Sequence, residues 1–266
     1  MHAMLNVAIM AARYGGDILV RNIPKLDKLK VEQKGQNDFV SEADLAAERA
    51  IIEVIHRHFP EHSIYAEESG KTGTSDYVWI IDPLDGTTNY IHGFPVFCVS
   101  VALTFKGRIE HGVVYDPLRN ELFTASRGQG AQLDGRKIRV SGTVEVSRAL
   151  IGTGFPYRDS NKSLEVYMSM LTKAIRNTSG IRRPGAAALD LCYVAAGRLD
   201  GFWETGLMPW DLAAGALIIR EAGGIISALD GKENFLETGH VLCGSPRIYA
   251  GLAKLFAKEI EEMMAE

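Results

Sequence analysis

The sequence predicts a layered α/β (α+β) fold. Helix-like and strand-like segments alternate along most of the 266 residues. Three consecutive strand-like runs, 96–105, 109–115 and 121–125, break that alternation and predict an antiparallel meander. There are no internal repeats and no low-complexity tails.

Residues 3–22 carry Leu5, Ala8, Ile9, Ala12, Ile18 and Leu19 close to helical spacing, with Gly15-Gly16 weakening the helix in its middle. Residues 23–38 are polar, contain Pro24 and Gly35, and read as loop or short strand; Lys34 lies here. Ser41 suits the N-cap of a helix over 42–58, whose apolar content is Ile51, Ile52, Val54 and Ile55. Asp44 in its first turn is favoured by the helix dipole. Ser63 to Ala66 predicts a short strand ending at Glu67-Glu68-Ser69-Gly70, and the small polar residues up to Asp76 predict a mobile loop.

Val78 to Ile81 is an apolar, β-branched run that predicts a buried strand with Asp82 at the sheet edge. Pro83 is expected to end strand pairing, and Gly86 permits a tight turn. Gly107, Asp116-Pro117 and Arg119-Asn120 turn the chain within the meander. Residues 128–148 hold four glycines and place a boundary between two halves, 1–145 and 146–266. Beyond it, Leu150 to Thr153 predicts a strand running into Gly154-Phe155-Pro156, and 163–177 a helix. Gly185 to Ala196 is an alanine-rich helix closed by Gly197, most simply core packing. A strand over 201–204, a helix over 211–222 stopped by Gly223-Gly224, strands at 225–229 and 240–243, and a helix from about 246 complete the chain.

With 46% hydrophobic and 23% charged residues, the composition is that of a soluble globular protein with a large core. The net charge of −4 provides no basic field for nucleic acid. Cys98, Cys192 and Cys243 stand far apart without ligand-like spacing and predict reduced, buried thiols. No signal-peptide pattern and no apolar run approaching the roughly 20 residues of a bilayer span are seen, so a cytoplasmic protein without membrane contact is expected.

The chemistry centres on residues 77–90. Asp82 and Asp85 share one stiff turn and repel each other; a hard divalent cation such as Mg²⁺ removes that repulsion and prefers oxygen ligands. An exposed turn is the competing reading, since Asp-Pro and Asp-Gly are common turn dipeptides. Glu67 at a strand end and Asp211 at a helix start are further acids where the chain changes direction. Asp211 also suits a helix cap, and Glu67 a solvated turn. Metal ligands must converge in space, whereas caps and turns need not.

Asp82-Pro83-Leu84-Asp85-Gly86-Thr87-Thr88-Asn89 resembles the signature loop of the inositol monophosphatase family, which are lithium-sensitive, magnesium-dependent phosphatases. Trp210-Asp211-Leu212-Ala213-Ala214-Gly215, with Glu221-Ala222-Gly223-Gly224 behind it, resembles the second signature, and Glu67-Glu68-Ser69 and Asp38-Phe39-Val40-Ser41 with Asp44 also fit. Tyr115-Asp116-Pro117 and Asn120-Glu121-Leu122-Phe123-Thr124-Ala125 are similar to the bacterial SuhB-type branch. The resemblance implies the αβαβα five-layer sandwich of the inositol monophosphatase and fructose-1,6-bisphosphatase type.

It also implies two to three Mg²⁺ ions: one on Glu67, Asp82 and the Leu84 carbonyl, one on Asp82, Asp85 and Asp211, and a weaker one on Glu67. Asp44 and Thr87 would orient or deprotonate the attacking water. The amides of Gly86, Thr87 and Thr88 would contact phosphate, and Asp85, Gly185, Ala187, Glu204 and Asp211 the polyol. Glu204 precedes Asp211 by seven residues, which agrees with the family spacing. Lys34 fits a flexible lysine near the metals.

The implied activity is hydrolysis of inositol monophosphates and related small phosphate esters, with lithium inhibition. Alternatives are fructose 1,6-bisphosphate, nucleotide 3′-phosphates or NADP as substrate. Glu204 favours a neutral polyol over a second phosphate, which would want Lys or Arg nearby. A non-catalytic role in ribosomal RNA antitermination, with transcription elongation factors and RNA polymerase as partners, is the alternative from another class. Family members are commonly homodimers. His56-Arg57-His58 and His62 read as solvated surface, and Arg127-Gly128-Gln129-Gly130 lacks the lysine of a P-loop. Arg182-Arg183 is a basic pair whose role the sequence leaves open.

Overall fold

The computed structural model describes residues 3–28, 31–35, 38–156 and 161–264. Helix α1 (Ala3–Asn22) and a 3-10 turn (Ile23–Lys28) precede an antiparallel pair, β1 (Val31–Gly35) and β2 (Asp38–Ser41), which leads into α2 (Glu42–His58). Eight strands then build a large sheet: β3 (Ser63–Ala66), β4 (Gly70–Thr72), β5 (Tyr77–Asp85), β6 (Cys98–Phe105), β7 (Arg108–Asp116), β8 (Glu121–Ser126), β9 (Gly130–Leu133) and β10 (Arg136–Lys137). Their spatial order is β10-β9-β8-β7-β6-β5-β3-β4, and the short helix α3 (Thr87–Ile91) leaves the end of β5.

Strands β11 (Leu150–Thr153), β12 (Gly180–Arg182), β13 (Gly201–Glu204), β14 (Ile225–Ser227) and β15 (Val241–Gly244) form a second sheet in the order β12-β11-β13-β15-β14. Its helices are α4 (Asn161–Asn177), α5 (Ala187–Ala195), α6 (Pro209–Glu221), α7 (Phe235–Thr238), α8 (Pro246–Leu255) and α9 (Ala257–Met264).

Alternation along the strands sorts the side chains into layers. Trp79 and Ile81 of β5 are buried with Ala8, Ala12 and Leu19 of α1 and Ile51 and Ile55 of α2. Ile80, between them, faces the other way, into a cluster with Leu189 and Leu191 of α5 and Leu212 and Leu217 of α6. On β13, Phe202 joins that same central cluster, while Trp203 packs with Tyr167 of α4 and Leu252 of α8. Each sheet therefore has helices on both faces and shares the α5–α6 layer with the other, giving an αβαβα sandwich. Helix α6 is buried on all sides because sheets cover it from two directions.

Local expectations changed in four places. Helix α1 runs unbroken through Gly15 and Gly16; a Cβ at Gly15 would lie 2.7 Å from Ile51 Cδ1, and one at Gly16 2.7 Å from Tyr115 Cε1. They let the helix settle closely onto α2 and β7. Pro83 does not end β5: the pairing shifts from Asp82 opposite Ser100 to Asp85 opposite Cys98, so an extra residue is absorbed as a bulge. A residue without an N–H is tolerated there.

The 70–76 segment begins as a strand, β4, paired with β3. His62 is half-buried; it stacks between Phe59 (4.7 Å) and Tyr77 (4.6 Å) and accepts from Trp79 Nε1 at 3.0 Å. By length and apolar content α1 would suit a membrane span, yet its Leu5, Ala8, Ala11, Ala12 and Leu19 face is buried in the core.

Candidate active site

The C-terminal end of β5 places Asp82 and Asp85 one bulge apart, and both are buried. Asp82 Oδ1 accepts from the Leu84 amide at 2.9 Å, which folds the loop over its own first acid. Gly86 adopts φ +96° and starts α3; a Cβ there would approach Val96 O to 3.0 Å, so both conformation and space require glycine.

Asp85 points across to the second half of the chain. It accepts from the amides of Ala187 (3.2 Å) and Ala188 (2.7 Å), the first turn of α5, where an anion complements orphan N–H groups and the helix dipole. Asn89 strengthens the same junction by donating to Val96 O (2.8 Å), Pro184 O (2.9 Å) and Gly185 O (3.2 Å).

Asp211 arrives from the start of α6. It is not the cap residue itself but the third helical position, and its carboxylate accepts from Met208 N at 2.8 Å. Ser100 of β6 anchors this helix start through the Trp210 carbonyl at 3.0 Å. Among the described residues, Asp82, Asp85 and Asp211 bring ligand-capable oxygens within 4.8 Å of one another.

Glu67 follows β3 and is tied to β5 by its amide, which donates to Ile81 O at 3.1 Å. Glu48 of α2 holds the adjacent turn by accepting from Glu68 N at 2.8 Å. Asp44 lies buried behind the loop in a capping box: the Ser41 amide (3.0 Å) and the Ser41 hydroxyl donate to its Oδ2. Its other oxygen is 3.2 Å from Thr87 Oγ1, which is also 3.0 Å from Leu84 O. One hydroxyl proton thus faces two acceptors.

A cavity of about 300 Å³ opens over these residues. Every site residue expected from the sequence lines it, namely Glu67, Asp82, Leu84, Asp85, Gly86, Thr87, Thr88, Gly185, Ala187, Glu204 and Asp211, with the exception of Asp44, which reaches it through Thr87. The Lys34 side chain lies outside the described residues.

Sequence reasoning missed several cavity residues. Gly154 follows β11, and a Cβ there would overlap the Glu204 carboxylate, so the strand end is cleared for that side chain. Arg183 lies over the Phe155 ring at 5.1 Å, and both line the cavity, which gives this one residue of the basic pair left open above a place in the site. Asp190 also lines it; the available signal was a lone acid in an otherwise apolar helix.

The electrostatics of the acid cluster favour a hard cation. Burial, then Glu67, Asp85 and Asp211, push the Asp82 carboxyl well above its ordinary range. Burial and Asp211 raise Asp85 from 3.8 to about 7 despite its amide partners. Burial also raises Asp44, against the opposing hydrogen bonds from Ser41 and Thr87. An all-oxygen donor set whose charges repel at close range fits a hard divalent ion such as Mg²⁺.

Comparison with known proteins identifies the family. Residues 1–262 match the model of the inositol monophosphatase family. The chain is 51% identical over 257 residues to Nus factor SuhB of Pseudomonas aeruginosa, covering 95% of each protein. In structure it is similar to the extragenic suppressor protein SuhB of Bartonella henselae, at 42% identity and a TM-score of 0.93, covering 97% of this chain and 99% of that one. It is likewise similar to an inositol monophosphatase from Anabaena (Nostoc) sp., at 41% identity and a TM-score of 0.83, covering 96% and 95%. With signature order, layered fold and acid-lined cavity in agreement, the chain belongs to the inositol monophosphatase family.

Proposed function

We propose that this chain is a Mg²⁺-dependent phosphomonoesterase that hydrolyses inositol monophosphates and related small polyol phosphates. The observation that carries this reading is the convergence of Asp82, Asp85 and Asp211 within 4.8 Å, beside the Thr87–Asp44 pair. Glu67, Asp82 and the Leu84 carbonyl would hold one ion; Asp82, Asp85 and Asp211 a second; Glu67 would serve a third. Bound there, Mg²⁺ neutralises the phosphate dianion, acidifies water and stabilises the leaving alkoxide.

The protein's own groups supply position and proton transfer. In this reading the backbone at Gly86, Thr87 and Thr88 would contact the phosphate, and Asp85, Gly185, Ala187, Glu204 and Asp211 the alcohol; all of them line the cavity. Were the Leu84 carbonyl to hold a cation, the Thr87 hydroxyl would donate its hydrogen bond to Asp44. The Thr87 oxygen then accepts from the attacking water, and the proton passes toward Asp44. No side-chain nucleophile is required.

Phosphate release from a panel of phosphomonoesters tests the reading, with Mg²⁺, with EDTA and with Li⁺. The panel includes inositol 1-phosphate, fructose 1,6-bisphosphate, a nucleotide 3′-phosphate and NADP, because Arg183 in the cavity wall reopens the case for a second phosphate. Mg²⁺-dependent release that is fastest with inositol phosphate is expected; release from none of them would overturn the proposal.

A second reading is supported by the name Nus factor SuhB carried by the Pseudomonas aeruginosa relative: a binding role in transcription antitermination, with elongation factors or RNA polymerase. Asp82→Asn separates the two, since a binding role survives loss of hydrolysis. A homodimer is also part of the proposal. Leu164, Met168 and Ile175 lie along one side of α4, exposed at 44%, 47% and 61%, as an apolar stripe suited to a second copy. Sedimentation at monomer mass would exclude it.

A further inference from the structure

The buried face of α2 is apolar except at two positions, Asp44 and Glu48. They stand four residues apart, about one helical turn, and so lie on the same side of the helix. Asp44 serves Thr87 in the mechanism above; Glu48 has no part in it. A carboxyl group is costly to bury and is kept inside a protein where it makes hydrogen bonds. Glu48 Oε2 makes one with a distant segment, accepting from the Glu68 amide at 2.8 Å.

That bond bears on where Glu67 points. Glu67 directly follows β3, and its own amide donates to Ile81 O at 3.1 Å, next to the pairing of Ala66 with Ile81 in the parallel β3–β5 ladder. The following amide, that of Glu68, leaves the sheet and turns to α2. Both peptide units flanking the Glu67 Cα are therefore held, one by the strand that carries Asp82 and the other by the helix that carries Asp44. A residue has only two soft backbone dihedrals, and fixing the peptide on either side sets both. The direction in which the Glu67 side chain leaves the backbone is set with them, and Glu67 lines the cavity together with Asp82.

We propose that Glu48 is a positioning residue for the metal centre: by fixing the peptide after Glu67 it holds the Glu67 carboxylate where that group meets Mg²⁺. This rests on the metal-dependent reading above and deepens it. Glu48 is not among the residues that line the cavity, so its effect passes through Glu67. Groups that hold a metal ligand in place typically cost about 10- to 100-fold in metal affinity when they are removed.

The test titrates Mg²⁺ into the full chain by isothermal calorimetry, without substrate, for the unsubstituted protein, E48M and E48Q. Met is unbranched and a good helix former but a weak acceptor for the Glu68 amide; Gln keeps an acceptor oxygen and drops the charge. E48M should weaken Mg²⁺ binding about 10- to 100-fold at the ion that Glu67 holds, while E48Q stays within about threefold of the unsubstituted protein. In an E67Q background E48M should add less than about twofold, because a residue that acts through Glu67 then has nothing left to position. Unchanged affinity in E48M, an equal loss in E48Q, or a full further loss on top of E67Q would overturn the assignment.

Should E48M fail to fold, E48D withdraws the acceptor by one methylene and is expected to weaken binding by about threefold or more; affinity equal to that of the unsubstituted protein would count against the role. Phosphate release is measured on the same samples. A protein that binds Mg²⁺ but hydrolyses no ester loses the phosphatase reading, while the Mg²⁺ affinities of the variants still decide on Glu48. Absence of Mg²⁺ binding by the unsubstituted protein would sink both.

Discussion

Neutralising one acid of the cluster should damage activity and strengthen the cation-free fold. Asp82, Asp85 and Asp211 approach within 4.8 Å. At that distance, and at an effective dielectric of about 20, two unit charges repel by about 3 kcal/mol. Taking up a proton at neutral pH costs an ordinary aspartate of pKa 3.8 about 4 kcal/mol. Asp82 faces two such charges, Asp85 and Asp211, so the summed repulsion exceeds the cost of protonation, and about 4 kcal/mol is the strain carried at Asp82 without a cation.

Asp82→Asn removes one charge and keeps the oxygen that accepts from Leu84 N at 2.9 Å. In EDTA the variant should melt above the unsubstituted protein by roughly 8–16 °C. In millimolar Mg²⁺ the unsubstituted protein should rise, by about 2.7 kcal/mol when the ion is at 100 times its Kd, while the variant moves little and the gap closes. Phosphate release should drop by ~10³-fold or more, which is about 4 kcal/mol of barrier. Differential scanning calorimetry and a phosphate assay on the same samples decide the matter. A variant that melts at or below the unsubstituted protein in EDTA would refute the claim that these acids repel in the folded state.

Three further outcomes follow from the same geometry. Because the folded-state pKa of Asp85 is raised to about 7, the folded chain binds a proton that the unfolded chain has released. Stability in EDTA should therefore be greatest below about pH 4 for this group and fall as pH rises toward about 7; urea unfolding at several pH values should show that slope, and Mg²⁺ should flatten it. Thr87→Val removes the hydroxyl between Asp44 and Leu84 and should lower kcat about 10²-fold or more with little change in melting temperature. Gly154→Ala places a methyl where the Glu204 carboxylate lies and should raise KM for inositol 1-phosphate by about tenfold while leaving Mg²⁺ dependence intact; an unchanged KM would show that Glu204 does not face the alcohol.

Much of the fold was legible because it rests on local rules. Apolar periodicity marked α1, α2, β5 and the meander, and glycine stops marked the ends of α5 and α6. The motif order was enough to expect αβαβα layers and to name the acids. What the residues alone left open was whether Asp82, Glu67 and Asp211 were ligands or merely turn and cap residues, since each satisfies a local rule equally well in either role. Only the packing of α5 and α6 between the two sheets, bringing the Asp85 carboxylate onto the amides of Ala187 and Ala188, sets distant carboxylates side by side.

Tertiary structure alone also placed Arg183 and Asp190 in the cavity and showed Gly15, Gly16 and Gly154 to be sites of close approach. The physical reason is the same throughout. Propensity and periodicity act over a few residues, whereas repulsion, burial and steric contact depend on which distant segments are brought together.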